Sequence, residues 1–100
     1  MTRGTTPTHI FNIPIDGNTI KTVRITYKQQ EVTRLEKTEA DVEITTGAIK
    51  LRLSQEDTLA FVENIPVQVQ VKVLIGDGTV LASPIKSLPV GKVLNEEVLE

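Results

Sequence analysis

The sequence predicts an all-β fold, an immunoglobulin-like β-sandwich of about seven strands with one short helical crossover. Apolar and polar residues alternate along several short runs, and turn-forming residues separate these runs at intervals of roughly 8–12 residues. A single segment breaks this two-residue period. Because the chain has neither cysteine nor tryptophan, the term immunoglobulin-like describes architecture and not ancestry.

The first strands can be placed from their flanking turns. Residues 8–13 are rich in strand-forming types and lie between two prolines, which predicts an edge or terminal strand. Residues 16–18 (Asp-Gly-Asn) predict a turn, since these residue types tolerate turn conformations. The run that follows alternates with charged residues and predicts a half-buried strand whose inner face carries Val23, Ile25 and Tyr27.

The middle of the chain predicts an irregular strand followed by a hairpin. Residues 31–38 form a weaker candidate strand, because Val32 and Leu35 fall on opposite faces, which a bulge or a short edge strand would accommodate. Two alternating runs then flank Thr46-Gly47, which predicts a tight hairpin.

The segment that breaks the period is residues 54–61. Ser54 is suited to cap a helix and acidic residues follow it, so one or two helical turns are expected here. The most regular strand then begins at Val67, with Val or Ile at every second position to Ile75. Gly76-Asp77-Gly78 predicts its hairpin turn, and the partner strand is expected from Thr79 to about Leu88.

Length and composition predict one domain over residues 1–90, followed by a C-terminal segment over residues 91–100. A chain of 100 residues supports a single core. No apolar run approaches the roughly 20 residues that span a bilayer, and the N-terminus lacks the apolar region of a signal peptide, so we expect synthesis in a cytoplasm and no membrane partner. The net charge of −2, without a basic stripe, argues against nucleic-acid binding.

No motif predicts catalysis, a metal or a cofactor. The only histidine, His9, is expected to be an ordinary strand residue, and one histidine cannot form a multi-histidine zinc site. The acidic pairs Asp41/Glu43 and Glu56/Asp57 fall at capping or solvent-facing positions, so a glycosidase pair is not expected. The short glycine turns do not match phosphate-binding or EF-hand loops. We therefore expect a protein that is not an enzyme.

Two features predict protein–protein contacts. The outer face of the valine-rich strand carries one charge and ends in an apolar residue, which predicts a partner interface at Gln68, Gln70, Lys72 and Leu74. In the C-terminal segment, Val90, Val93, Leu94 and Val98 fit a short helical stripe. This helix would either pack on its own domain or dock on a neighbouring subunit, in which case Val93, Leu94 and Val98 join the interface.

Four stretches of the chain resemble a family of small phage and prophage proteins of Gram-positive bacteria. They are TRGTTPTHIFNIPID, KLRLSQEDTLAF, VQVKVLIGDGTVLASPI and the terminal KVLNEEVL. Members of the family are about 100 residues long, and their genes lie among tail and baseplate genes. The resemblance implies a virion-associated structural component with a β-sandwich fold. It supplies no catalytic or binding residues.

The resemblance and the residues together predict a non-enzymatic structural protein of a phage tail or baseplate, made in the bacterial cytoplasm and located in the virion. We expect it to act through contacts with other virion proteins and as a homo-oligomer, with no cofactor. Two alternatives stay open. One is an adhesion module that binds host-surface polysaccharide, and the other is a small regulatory binder made inside the host.

Overall fold

The computed structural model describes residues 1–13 and 19–100 of the chain. Within them it contains eight strands, a 3-10 helix over Glu39–Asp41 and the α-helix α1 (Gln55–Leu59). The strands are β1 (Thr8–Asn12), β2 (Ile20–Gln29), β3 (Val32–Thr38), β4 (Glu43–Thr45), β5 (Ala48–Arg52), β6 (Val67–Ile75), β7 (Val80–Ala82) and β8 (Lys86–Leu88). The prediction of an all-β sandwich with one short helical crossover is confirmed. The turn predicted at residues 16–18 lies outside the described residues.

The named strands form two antiparallel sheets. The smaller sheet has the order β1-β5-β4, and the larger sheet has the order β3-β2-β6-β7, with β8 also paired to β6. β8 pairs with the first part of β6 and β7 with its last part, so the two occupy one position beside β6. The eight described strands therefore fill seven positions, close to the number that the sequence predicts.

The core lies between the two sheets and follows the two-residue period of the strands. Every inward-facing position of β2 and β6 is buried from Val23 to Tyr27 and from Val67 to Val73. The smaller sheet, the segments that join the strands and the C-terminal end complete the core with Phe11, Ile13, Ile49, Leu51, Leu53, Phe61 and Val90.

The hairpin and the irregular strand predicted for the middle of the chain are both present. Thr45 pairs with Ala48 across Thr46-Gly47, which is the tight hairpin, and Gly47 has a φ of 81° that suits glycine. β3 pairs with β2 at the edge of the larger sheet, and the register shifts there by one residue. Arg34 is the extra residue, because Leu35 pairs with Tyr27 while Thr33 pairs with Lys28.

The helix α1 begins as predicted at Ser54. The Ser54 hydroxyl accepts a hydrogen bond from the Asp57 amide, and the Asp57 carboxylate accepts one from the Ser54 amide, which completes a capping box. Asp57 also forms an ion pair with Lys37 of β3, with 3.1 Å between Oδ1 and Nζ. The crossover from β5 to β6 is thus tied to the edge strand of the larger sheet.

A buried glutamine fixes the loop that leads into β6. Gln29 lies at the end of β2 and is 1% exposed. Its amide nitrogen donates to the carbonyl oxygens of Val62 and Ile65, and its amide oxygen accepts from the Val62 amide. Because these bonds engage both ends of the amide, the polar group is accommodated in the core.

The prediction of a helix in the C-terminal segment is wrong. Residues 91–100 form neither a helix nor a named strand. A helix of this length is marginal, and here the backbone and nearby side chains find other partners. The Gly91 amide donates to the Met1 carbonyl, the Leu99 amide donates to Gln55, and the Glu97 amide donates to Asn95 within the segment. These local and long-range bonds replace the helical ones.

Candidate functional site

The predicted interface residues of β6 lie together on the outer face of the larger sheet. They point away from the core, since the valines between them are buried. β6 is a central strand, so their neighbours on β2 complete the surface: Lys28 is opposite Gln68, Thr26 opposite Gln70, Arg24 opposite Lys72, and Thr22 opposite Leu74.

We call Gln68, Gln70, Lys72 and Leu74 the β6 strip. The outer face of the sheet carries more charge than this strip alone suggests. Arg24 lies directly opposite Lys72, which would be unfavourable for two unpaired cations. Two ion pairs offset this, because Arg24 contacts Glu39 at 2.8 Å and Glu36 at 3.9 Å. These pairs are exposed and contribute little stability, but they make the β2 side of the strip polar and charged.

One member of the strip has a structural role. The side-chain amide of Gln70 donates to the Ser83 carbonyl at 2.9 Å. Ser83 also bridges to β6 through its own backbone and side chain, since its amide donates to the Val71 carbonyl and its hydroxyl accepts from the Val71 amide. These bonds hold the irregular Ser83-Pro84-Ile85 segment that separates β7 from β8.

A cleft lies at the Gln68 end of the outer face. It has a volume of about 170 Å³, and its lining includes Thr26, Lys28, Glu31, Gln68 and Ile85. The side chains of Lys28, Glu31 and Gln68 form no hydrogen bond or ion pair with other described residues. Glu31 also has a φ of 66°, within the two-residue turn from β2 to β3. Positive φ is uncommon for residues with a Cβ, so the turn holds this carboxylate at the cleft at some energetic cost.

The two edges of the larger sheet differ in their protection against other strands. β3 carries Arg34, Glu36 and Lys37 and contains the bulge, and both features discourage pairing with another chain. β7 consists of Val80, Leu81 and Ala82, all exposed and without a charge. This edge has the properties of a strand that pairs with another chain.

Among residues 1–13 and 19–100, no strand covers the side of the sandwich next to β7. Leu81 pairs with the inward-facing Val73 and so points to the inner side of the sheet, yet it is 37% exposed. A groove of about 250 Å³ lies there, and its apolar lining includes Ile13, Val71, Leu81, Ala82 and Pro84. The smaller sheet ends at β1 and does not cover the inner face of β7. We define the apolar edge surface as Val80, Leu81, Ala82, Pro84 and Ile85.

The C-terminal members of the predicted interface are placed differently from one another. Val93 lies beside the N-terminal segment, where a Cβ on Gly4 would meet it at 3.9 Å. Val98 is half-buried, whereas Leu94 is 95% exposed. The segment is held to its own chain by Arg3, which forms an ion pair with Glu96 at 2.8 Å, and by Gln55, which bonds to Leu99. Docking on a partner subunit stays a prediction.

The residues considered for catalysis have structural partners. His9 faces the core and its Nδ1 lies 2.6 Å from the Tyr27 hydroxyl. Burial and the positive N-terminus lower the pKa of His9, and burial and the Asp57 carboxylate raise the pKa of Tyr27 above its usual range. Both groups are therefore held in their neutral forms.

The acidic pairs lie at capping or exposed positions, as the sequence predicts: Asp41 and Asp57 cap helices, and Glu43 and Glu56 are exposed. Asp41 accepts from the Thr38 amide and closes a capping box on the 3-10 helix. Burial of Asp57 acts against its ionised form, but hydrogen bonds from Ser54 and the ion pair with Lys37 hold its pKa below its usual range. Asp77 accepts from the Thr79 amide inside the turn between β6 and β7, which lowers its pKa.

The described residues contain no group of three or more histidine, cysteine or acidic side chains placed to hold a metal ion. No helix among them is long and apolar enough to cross a bilayer.

Sequence reasoning placed Gln68, Gln70, Lys72 and Leu74 on the outer face of β6 but missed the apolar edge surface. The signal was present in Val80-Leu81-Ala82, an uncharged run between Gly-Asp-Gly and Pro84. Recognising it required the knowledge that this strand lies at an edge and that the opposite sheet leaves it uncovered.

The fold and this surface together define an all-β sandwich with one apolar open edge. Comparison with protein-family models, with curated proteins and with solved structures found no match in any of the three searches.

Proposed function

We propose that this chain is a non-enzymatic structural protein of a phage virion, a component of the tail or baseplate that acts through protein–protein contacts and forms a homo-oligomer. The observation that carries the contact function is the difference between the two edges of the larger sheet. Charges and a bulge protect β3, whereas β7 offers an exposed apolar strand beside an open groove. Soluble monomers usually avoid such an edge, so a partner strand that covers it is the simplest explanation.

The assignment to a virion rests on the resemblance to small phage proteins, and the architecture is compatible with it. A rigid β-sandwich with satisfied buried polar groups such as Gln29 presents fixed edges and loops to its neighbours. Partners would be other virion proteins, and the chain would need no cofactor. After synthesis in the host cytoplasm, the protein would be incorporated into the particle.

The test is quantitative mass spectrometry of particles purified from the host that carries the gene. The proposal expects this chain at a constant copy number relative to the major tail protein, retained through density-gradient purification. A cytoplasmic host protein added before lysis serves as the control for carry-over. If purification removes this chain from the particles to the same extent as the control protein, the virion assignment is overturned.

The cleft on the outer face favours a second candidate function, an adhesion module that binds host-surface polysaccharide. Its free polar side chains, Lys28, Glu31 and Gln68, supply donors and acceptors for hydroxyl groups, and Ile85 supplies an apolar wall. Binding to purified host cell-wall polysaccharide tests this candidate. This candidate expects Gln68→Ala to lose binding. Ser87→Ala should retain it, because Ser87 lies beside Gln68 on β8 but does not line the cleft. Absence of binding in the wild-type protein would reject it.

A further inference from the structure

The backbone groups of β7 that face the open edge can be identified from the ladder with β6. Hydrogen-bonded and non-hydrogen-bonded pairs alternate along antiparallel strands. The Ile75 amide donates to the Thr79 carbonyl, and the Ser83 amide donates to the Val71 carbonyl, so positions 79 and 83 bond to β6. Leu81 lies midway between these positions and also bonds to β6, where it pairs with Val73. The amide and carbonyl groups of Val80 and Ala82 therefore point away from β6 toward the open edge.

We infer that a second copy of this chain occupies the edge, with β7 paired antiparallel to β7 of the second copy about a twofold axis at Leu81. This inference rests on the proposal that the chain acts through protein–protein contacts. Opposite residues of paired strands lie on the same face of a sheet, so a twofold pairing must be centred on a residue and not between two. Of the possible centres, Leu81 uses the whole strand, because Val80 then lies opposite Ala82 of the second copy.

This register uses backbone groups of Val80 and Ala82 that have no partner strand within the described part of the chain. Val80 and Ala82 exchange main-chain hydrogen bonds with their counterparts, because their backbone groups face the open edge. The Leu81 side chains of the two copies meet on the inner side, where the groove beside Ile13 and Pro84 is open. A self-complementary contact of this kind closes as a dimer.

The charges at the two ends of β7 favour the same antiparallel arrangement. Asp77 precedes the strand and Lys86 follows it, and neither forms an ion pair within the described part of the chain. Antiparallel pairing brings the Asp77 end of one copy toward the Lys86 end of the other, whereas a parallel arrangement would bring like charges together. The β3 edge is less suited to such pairing, because the bulge at Arg34 interrupts its backbone pattern.

The absence of cysteine from the chain allows a specific cross-linking test. In the proposed register the two Leu81 residues form a non-hydrogen-bonded pair with Cα atoms about 4.5 Å apart, within reach of a disulfide. We expect Leu81→Cys to form a covalent dimer under mild oxidation that reducing agent reverses. Val32→Cys, at an apolar position of the β3 edge that is 49% exposed, is the matched control and should form no covalent dimer. Equal cross-linking of both variants would overturn the assigned register.

A second measurement does not depend on a disulfide. Light scattering of the wild-type protein should give twice the chain mass of 11.0 kDa. Leu81→Lys places two cations opposite each other and should return the mass to that of one chain, whereas Val32→Lys should leave the dimer unchanged. Circular dichroism verifies that both variants are folded.

A monomeric wild-type protein, or a dimer that persists in Leu81→Lys, would overturn the inference. Either result leaves the virion assignment intact, because the copy number in purified particles tests that assignment separately. Conversely, a dimer that is absent from particles would retain the β7 contact and reject the virion role.

Discussion

Nδ1 of His9 lies 2.6 Å from the hydroxyl oxygen of Tyr27, and this hydrogen bond joins the two sheets across the core. His9 belongs to β1 of the smaller sheet and Tyr27 to β2 of the larger one. Tyr27 is fully buried and also packs against Phe61, with 5.6 Å between ring centroids. A buried phenol needs a hydrogen-bond partner, and the only histidine of the chain supplies it.

The His9–Tyr27 pair predicts a loss of stability at mildly acidic pH. The pKa of His9 is lowered in the folded protein from a reference of 6.5, so the unfolded chain binds the proton more readily. The contribution of His9 is complete above pH 6.5 and is lost as the pH falls through the folded-state pKa. We expect the free energy of unfolding from urea titrations to decrease as the pH falls below about 6.5, the reference pKa of histidine.

His9→Gln is the matched variant for this experiment. It removes the titrating group, so its free energy of unfolding should be nearly constant over the same pH interval. The wild-type protein and the variant should differ in slope and not merely in absolute stability. Parallel slopes would contradict the assignment of this pH dependence to His9.

Ser83 is the second position with a testable structural role. Its hydroxyl accepts a hydrogen bond from the Val71 amide at 3.0 Å, in the centre of β6 where Val71 is buried. Ser83→Ala leaves this amide without a partner, which should cost about 1–3 kcal/mol of the free energy of unfolding. The control is Ser87→Ala on the exposed face of β8. A cost equal to that of the control would show that the Ser83-Pro84-Ile85 segment does not depend on the hydroxyl.

The extent to which the sequence predicts this fold depends on how local each determinant is. The Ser54 cap, the Thr46-Gly47 hairpin and the Gly76-Asp77-Gly78 turn depend on a few adjacent residues, and all three are confirmed. The buried valines of β6 follow from the strand period, so they were predictable as well. For these features the local chemistry agrees with the tertiary structure.

The features that sequence reasoning missed depend on distant partners. The C-terminal helix was predicted from apolar spacing, but Gln55 and Arg3 lie far away along the chain and bind this segment in a non-helical form. The open edge at Leu81 was not visible either, because it arises from the unequal width of two sheets. A periodic pattern shows which face of a strand is apolar but not whether another sheet covers it.

The capping box of α1 supports a third prediction. Asp57→Asn weakens the bond to the Ser54 amide and removes the ion pair with Lys37, in which both side chains are largely shielded from solvent. We expect a loss of about 1 kcal/mol in the free energy of unfolding at neutral pH. Glu56→Gln is the control on the same helical turn, since its exposed side chain forms no hydrogen bond or ion pair with the described residues.

The pKa of Asp57 gives this prediction a second readout. It is lowered in the folded protein from a reference of 3.8, so the stabilising contribution is present above that pH and is lost as the pH falls through the folded-state pKa. The difference between wild type and Asp57→Asn should therefore narrow in acid. A difference that is the same at neutral and acid pH would argue against the ionised carboxylate as its source.

Gly47 supports the last prediction, because its backbone conformation and not its contacts demands glycine. Its φ of 81° lies in the left-handed region, and the nearest atom to an added Cβ would be the Ile13 carbonyl oxygen at 3.8 Å, which is ordinary contact. Gly47→Ala should therefore cost about 1 kcal/mol of the free energy of unfolding through backbone strain alone. Gly76→Ala is the matched control, since that glycine has no positive φ and similar space, with the Thr19 carbonyl oxygen at 3.7 Å. Its midpoint of thermal unfolding should change little. Equal losses in the two variants would indicate that steric contact, and not φ, determines the effect.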